Sequence, residues 1–198
     1  MIAVVVAGLA TQNNTWVPAA AISLLVSVIP AILRRDLGLV LPPGLSFWIV
    51  LALFLHVVGG FTNLYNDLPG WDHLTHLMSA TLIGALGLVL VVIVDKYVES
   101  IYLPPRFLGA FILLFTMAVG VIWEIMEFTN DSLLHTRLQY GLDDTMMDLF
   151  FDGVAGVAVA LVGANYLRHT SADHFVESMN ISEVREKLKE RAQRRRSS

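Results

Sequence analysis

The chain reads as an all-α, polytopic transmembrane helical bundle, with five full spans and a short apolar segment ahead of them. Three observations carry that reading. Its 198 residues are 56% hydrophobic and only 15% charged, more apolar than a soluble domain of this length can hide, and mean hydropathy is +0.65. Five stretches approach the roughly 20 apolar residues that a helix needs to cross a hydrocarbon core about 30 Å thick. Finally, the two signs of charge are sorted along the chain, so the formal net charge of −4 says less than where each sign lies.

The first ten residues, Met1 to Ala10, are apolar but would give only about 15 Å of helix. They are expected to lie at the interface, half inserted, or to be the end of a sixth span whose start lies upstream. A cleaved signal peptide is disfavoured, because no basic residue precedes the run and Thr11-Gln12-Asn13-Asn14-Thr15 lacks a small-residue cleavage pattern. Residues 1–15 are thus a short apolar segment and a loop, 16–167 a helical bundle, and 168–198 a basic tail.

The first full span is expected from Trp16 to Leu33, with Pro18 and Pro30 near its ends, where a missing amide donor is tolerated. The second runs from Gly44 to Leu64, the third from Asp72 to Val94, the fourth from Phe107 to Glu127 and the fifth from Thr145 to Leu167. In the tail, Asn180 and Glu183 are spaced as a capping box, and Ile181, Val184, Leu188 and Ala192 recur at helical spacing, which predicts a surface helix.

Basic residues set the expected orientation. Arg34 and Arg35, Lys96 and Arg106, and Arg168 with the seven Lys and Arg residues after it all fall on one side, leaving only Arg137 opposite. The C-terminus is therefore expected in the cytoplasm, and the protein in the cell membrane. The simplest use of those cytoplasmic charges is topology itself; contact of Arg194-Arg195-Arg196 with anionic lipid is the alternative.

The acids and histidines gather at the other side. Asp72, His73 and His76 open the third span and can share a face; Glu124 and Glu127 close the fourth; Asp144, Asp148 and Asp152 form a stripe descending about 12 Å along the fifth. Asn63, Tyr65, Asn66 and Asp67 could line the rim. The bland readings are helix capping for Asp72, Asp143 or Asp144, a hydrogen-bonded core position for His56, and solvation for His135 and Arg137. Ala80 with Gly84, and Gly156 with Ala160, are small-xxx-small pairs that read as membrane packing. Glu124, Asp148 and Asp152 are different, since they lie inside spans where no cap needs them and where a charge costs roughly 2.5–3.5 kcal/mol on insertion scales.

Carboxylates this close cannot all stay ionised in a low dielectric. They must bind cations, hold protons, or open to water. With no cysteine in the chain, thiolate metal sites and disulfides are excluded, and any metal needs oxygen and imidazole donors. Imidazole mixed with carboxylate suits zinc, manganese or ferrous iron, and the surplus of acids leaves room for two ions. The expected metal ligands are His73, His76, Glu124, Asp148 and Asp152, with Glu127 and Asp72 as bases or outer partners. No H-E-x-x-H or Glu-x-x-His motif occurs, and Thr75, Ser79, Thr129 and Thr145 stand in no recognised nucleophile setting.

The string Tyr65-Asn66-Asp67-Leu68-Pro69-Gly70-Trp71-Asp72-His73-Leu74-Thr75-His76, then Trp123-Glu124-Ile125-Met126-Glu127, then Asp143-Asp144-Thr145-Met146-Met147-Asp148-Leu149 with Asp152-Gly153, resembles the YjdF-like family of small integral membrane proteins. The resemblance runs from the first to the fifth span and excludes the tail. It implies a six-helix architecture and a shared site at Asp72, His76, Glu124, Glu127, Asp148 and Asp152, and carries no established activity. The short N-terminus departs from that pattern.

The best expectation is a divalent-metal-dependent membrane hydrolase or transferase working on a small-molecule or lipid substrate at the outer leaflet. A cation- or proton-coupled transporter is the alternative, with His56 the only ionisable residue in mid-membrane; a non-catalytic scaffold is a third. Membrane lipids are the expected partners. Nucleic acid is not, because the only basic run is a short tail on a membrane anchor.

Overall fold

The computed structural model describes residues 2–10, 17–98, 104–135 and 138–197. Those residues form nine helices and no strand: α1 (Ile2–Ala10), α2 (Val17–Leu37), α3 (Pro43–Phe61), α4 (Leu64–Asp67), α5 (Trp71–Tyr97), α6 (Pro105–Leu134), α7 (Leu142–His169), α8 (Ala172–Ser178) and α9 (Ile181–Ser197). Trp16, the 11–15 run and Arg137 lie outside the described residues. Among the described helices, α3, α5, α6 and α7 are long and apolar enough to cross a membrane. Residues of the expected first span form α2, a 21-residue helix with Arg34 and Arg35 in its last turn, which is not among those four.

The helix ends follow local chemistry. Prolines at Pro43 and Pro105 open α3 and α6, where the first turn has no amide to lose. Gly70, at φ 82°, turns the chain into α5 in a conformation few other residues adopt easily. Helix α6 does not stop at Glu127 but continues to Leu134, because no Gly or Pro interrupts residues 121–134 and His135 closes the helix in the left-handed region. Glu124 and Glu127 therefore sit about three and two turns before the helix end, rather than in the last turn.

The chain divides into two compact units, residues 1–64 with 170–198, and residues 65–169. In the first, α1, α2 and α3 pack together, α8 packs on α9, and α9 meets α2. The tail is seated on the end of α2: Lys187 Nζ donates to the Leu37 carbonyl at 3.4 Å and Arg191 to the Asp36 carbonyl at 3.0 Å, two cations at a helix C-terminus. The expected capping box of α9 is not formed. Asn180 is left-handed and its amide donates to the Gly38 carbonyl, while Glu183 pairs with Lys187. Of the expected stripe, Ile181 and Val184 are buried and Leu188 is exposed, so only the first turn is anchored.

In the second unit, α5, α6 and α7 each pack against the other two. Glycines allow it. A Cβ at Gly84 would stand 3.1 Å from Thr116 Oγ1 and 3.2 Å from Val159, and one at Gly156 would stand 3.3 Å from the Leu113 backbone, so the expected packing role of these small residues holds.

Candidate functional site

The N-terminal ends of α5 and α7 and the C-terminal part of α6 carry the polar residues of the three-helix unit. Asp72 is the second residue of α5, behind Gly70 in the cap position, and makes no cap hydrogen bond, so the capping reading fails for it. Thr75, one turn on, is buried; its hydroxyl donates to the Asp72 carbonyl at 2.9 Å and accepts from the Tyr65 hydroxyl at 3.3 Å. That pair ties the start of α5 to the preceding turn, and employs a hydroxyl that could have been a nucleophile.

His76 is the hub. Its Nε2 lies 3.8 Å from Asp72 Oδ1, 4.0 Å from Glu124 Oε1 and 4.0 Å from Asp148 Oδ2, so acids from all three helices meet one ring nitrogen. Its other nitrogen, Nδ1, lies 3.6 Å from Asp152 Oδ1. Asp148 is only 1% exposed and faces both imidazoles, because its Oδ1 is 3.1 Å from His73 Nδ1 while its Oδ2 points to His76. The His73 ring is held by stacking on Phe151, with centroids 5.1 Å apart.

Two groups of donor atoms come within 4.8 Å of one another, Asp72 with His76 and Asp148, and His73 with Asp144 and Asp148. Asp144 was visible in the sequence as part of the α7 stripe, four residues before Asp148, yet its place near a helix start made it read as a cap. One of its oxygens does accept from the Tyr140 amide at 3.2 Å, so it serves the turn while remaining beside His73. Asp143 is exposed.

Glu124 is 5% exposed and Asp152 3% exposed, and both Glu124 oxygens and Asp152 Oδ2 lack a hydrogen-bond partner among the described residues. Leaving a buried acceptor unmade costs about 1–3 kcal/mol, more for a charged one. Among the described residues the ion pairs of these carboxylates are all with His73 and His76. A shortage of positive charge is therefore built into the packing. Gly120 makes room for it: a Cβ there would collide with the Asp152 carboxylate.

Glu127 is set apart from the hub. It is half-buried and accepts from Trp123 Nε1 at 2.9 Å, within its own helix. Thr129 donates to the Ile125 carbonyl, Thr145 accepts from Gln139, and Ser79 is exposed. Asp131, which the sequence reading passed over, accepts from the Leu138 and Gln139 amides at 2.8 and 2.9 Å and anchors the loop into α7. At the rim the Tyr140 hydroxyl donates to Asn66 at 3.3 Å. Burial first, then neighbouring Asp72 and Glu127 charges, push both the Tyr65 and Tyr140 phenols above the ordinary value. Asn63 closes α3 in the left-handed region, His56 is half-buried within α3, and His135 is exposed.

The donor set suits a divalent ion. Metal to oxygen or nitrogen distances of about 2.0–2.2 Å put tetrahedral donors about 3.3–3.6 Å apart. The 3.8–4.0 Å spacings around His76 Nε2 need to contract by about 0.5 Å for that, within side-chain torsion. Beyond the cluster, residues 77–94, 107–123 and 153–165 contain no acidic, basic or histidine side chain. The polar site ends where it began, at one end of the three helices.

A family model described as "Predicted membrane protein (DUF2238)" matches residues 1–169. A protein of Thermotoga maritima described as an "Uncharacterized protein" is 35% identical over 105 residues, covering 51% of this chain and 52% of its own. The chain thus spans about half the length of that curated relative. No solved structure matches.

Proposed function

The chain belongs to the DUF2238 family of predicted membrane proteins, the YjdF-like family that its motifs resemble, and on that footing we propose that this multi-pass membrane protein holds a divalent ion for hydrolysis or group transfer at one membrane face. The observation that carries the reading is the meeting of Asp72, Glu124 and Asp148 on His76 Nε2, with buried carboxylate oxygens left unpartnered beside it. Asp72, His76 and Asp148 present donors within 4.8 Å of one another, and Glu124 reaches the same nitrogen at 4.0 Å from the third helix, an oxygen-rich set with one imidazole suited to zinc, manganese or ferrous iron.

The roles follow the geometry. Asp152 faces Nδ1 of His76, so it fixes the tautomer that leaves Nε2 free to bind, as carboxylates do behind metal-bound histidines. Asp72 takes the ligand role first expected of Asp152. A bound ion would polarise a phosphoryl or carbonyl oxygen or acidify a water, and Glu127, outside the donor set, is the acid for moving a proton. The excess of Lys and Arg on the opposite loops and tail supports a site facing outward, a cytoplasmic C-terminus and a place in the cell membrane. The absence of acidic, basic and histidine side chains from residues 77–94, 107–123 and 153–165 favours a binding or catalytic site over a conduit through these helices.

Metal analysis of the full chain purified in detergent tests the reading. Stoichiometric first-row metal in the wild type, lost in Asp148→Asn and much reduced in Glu124→Gln, is expected. Metal-free protein that takes up none of zinc, manganese or iron would refute it and favour proton handling by the same acids.

A further inference from the structure

We infer that the cluster is a two-ion centre, in which a second divalent cation is held by His73 and Asp144 and the Asp148 carboxylate bridges the pair. The inference rests on the metal-centre reading above and deepens it. Asp148 presents different oxygens to the two histidines, Oδ1 to His73 Nδ1 at 3.1 Å and Oδ2 to His76 Nε2 at 4.0 Å. A carboxylate used that way spans two ions about 3.5–4 Å apart, the separation of known two-metal centres. It belongs to both donor groups, one with Asp72 and His76 and one with His73 and Asp144.

Charge counting selects two ions over one. Asp72, Glu124, Asp144, Asp148 and Asp152 bring five carboxylates to one place, of which one dication would balance two and a pair would balance four. Independent of that count, Glu124 is 5% exposed and aims Oε1 at His76 Nε2, beside the first position, with neither oxygen in a close hydrogen bond among the described residues. The second position is the better formed of the two in one respect. The 3.1 Å between His73 Nδ1 and Asp148 Oδ1 is already close to the roughly 3.3 Å edge of a tetrahedral donor set, and the Phe151 stack fixes the ring in that pose. In the ion-free protein a hydrogen bond occupies that edge, and His73 binds an ion there as the tautomer with its proton on Nε2.

Manganese is the probe, because two Mn2+ ions sharing a carboxylate couple magnetically. The full chain in detergent is loaded with Mn2+, desalted, and read by metal content and electron paramagnetic resonance. The expected result is two Mn2+ per chain with an exchange-coupled spectrum. His73→Ala and Asp144→Asn should each hold one, with the hyperfine pattern of an isolated ion, and Asp148→Asn should show no coupled signal. Asp144 is half-buried at a helix start, so its variant decides the matter if His73→Ala does not fold. Wild type with a single uncoupled ion that His73→Ala and Asp144→Asn retain would overturn the second site and leave the first standing. Two ions per chain persisting in both variants would overturn the ligand assignment. No binding at all would remove both proposals together.

Discussion

Replacing Gly120 by alanine tests whether the buried arrangement around His76 depends on the close fit of α6 against α7. The new methyl group would occupy space taken by the Asp152 carboxylate, which is 3% exposed. The carboxylate must turn away from His76 Nδ1, now 3.6 Å distant, and the imidazole loses the group that sets its tautomer. Removing such a partner of a metal-bound histidine weakens binding about 10–100-fold, equivalent to about 1.4–2.7 kcal/mol. Overpacking adds about 1–3 kcal/mol of lost stability. Competition between the protein and a chromophoric chelator for zinc reads the first quantity, and thermal unfolding in detergent the second. Gly153→Ala is the control, because a Cβ there meets only the flexible Met117 sulfur at 3.4 Å. Wild-type zinc affinity in Gly120→Ala, or an equal loss in Gly153→Ala, would refute the positioning role of Asp152.

Glu124→Gln removes a buried carboxylate whose oxygens lack hydrogen bonds among the described residues, so the metal-free variant should be more stable than metal-free wild type, by about 1–3 kcal/mol, while gaining less from added zinc; a lower melting temperature of the metal-free variant would count against this reading. Asp148→Asn should abolish the zinc-induced rise in melting temperature, read by the same scan, because both donor groups lose their shared oxygen. High pH supplies a further test outside the spans. The Tyr65 and Tyr140 phenols are raised above the ordinary value of 10, so the folded state keeps their protons where the unfolded state loses them, and stability present below pH 10 is lost as pH rises through the folded values. Tyr65→Phe should cost about 0.5–1.5 kcal/mol at pH 8 through the bond to Thr75, yet show a shallower decline above pH 10; an unchanged slope would exclude Tyr65 as a contributor.

Much of the site could be read one residue at a time. The i, i+4 spacing of Asp72 with His76, and of Asp144, Asp148 and Asp152, puts acids and imidazoles on single faces, and the structure brings Asp72, His73, His76, Glu124, Asp148 and Asp152 together. Glu124 and Glu127 share a helix face by spacing, and the sequence reading gave Glu124 a ligand role and Glu127 an outer one. How far each is enclosed is set by the rotation of α6, which buries Glu124 and leaves Glu127 half-buried against Trp123. Asn180 with Glu183 had the right spacing for a cap, but docking of the tail on Gly38 took the asparagine amide.

The apolar runs and their charged ends determined, without any fold, that this is a helical multi-pass membrane protein and that its acids cluster at one end of the spans. Hydropathy and helical periodicity are properties of consecutive residues, so they survive reading in one dimension. Which nitrogen of His76 meets Asp152 and which meets Asp72, Glu124 and Asp148 was decided only by the tertiary structure. That choice depends on the rotation and approach of three helices, set by contacts at Gly84, Gly120 and Gly156 that join residues far apart in the chain.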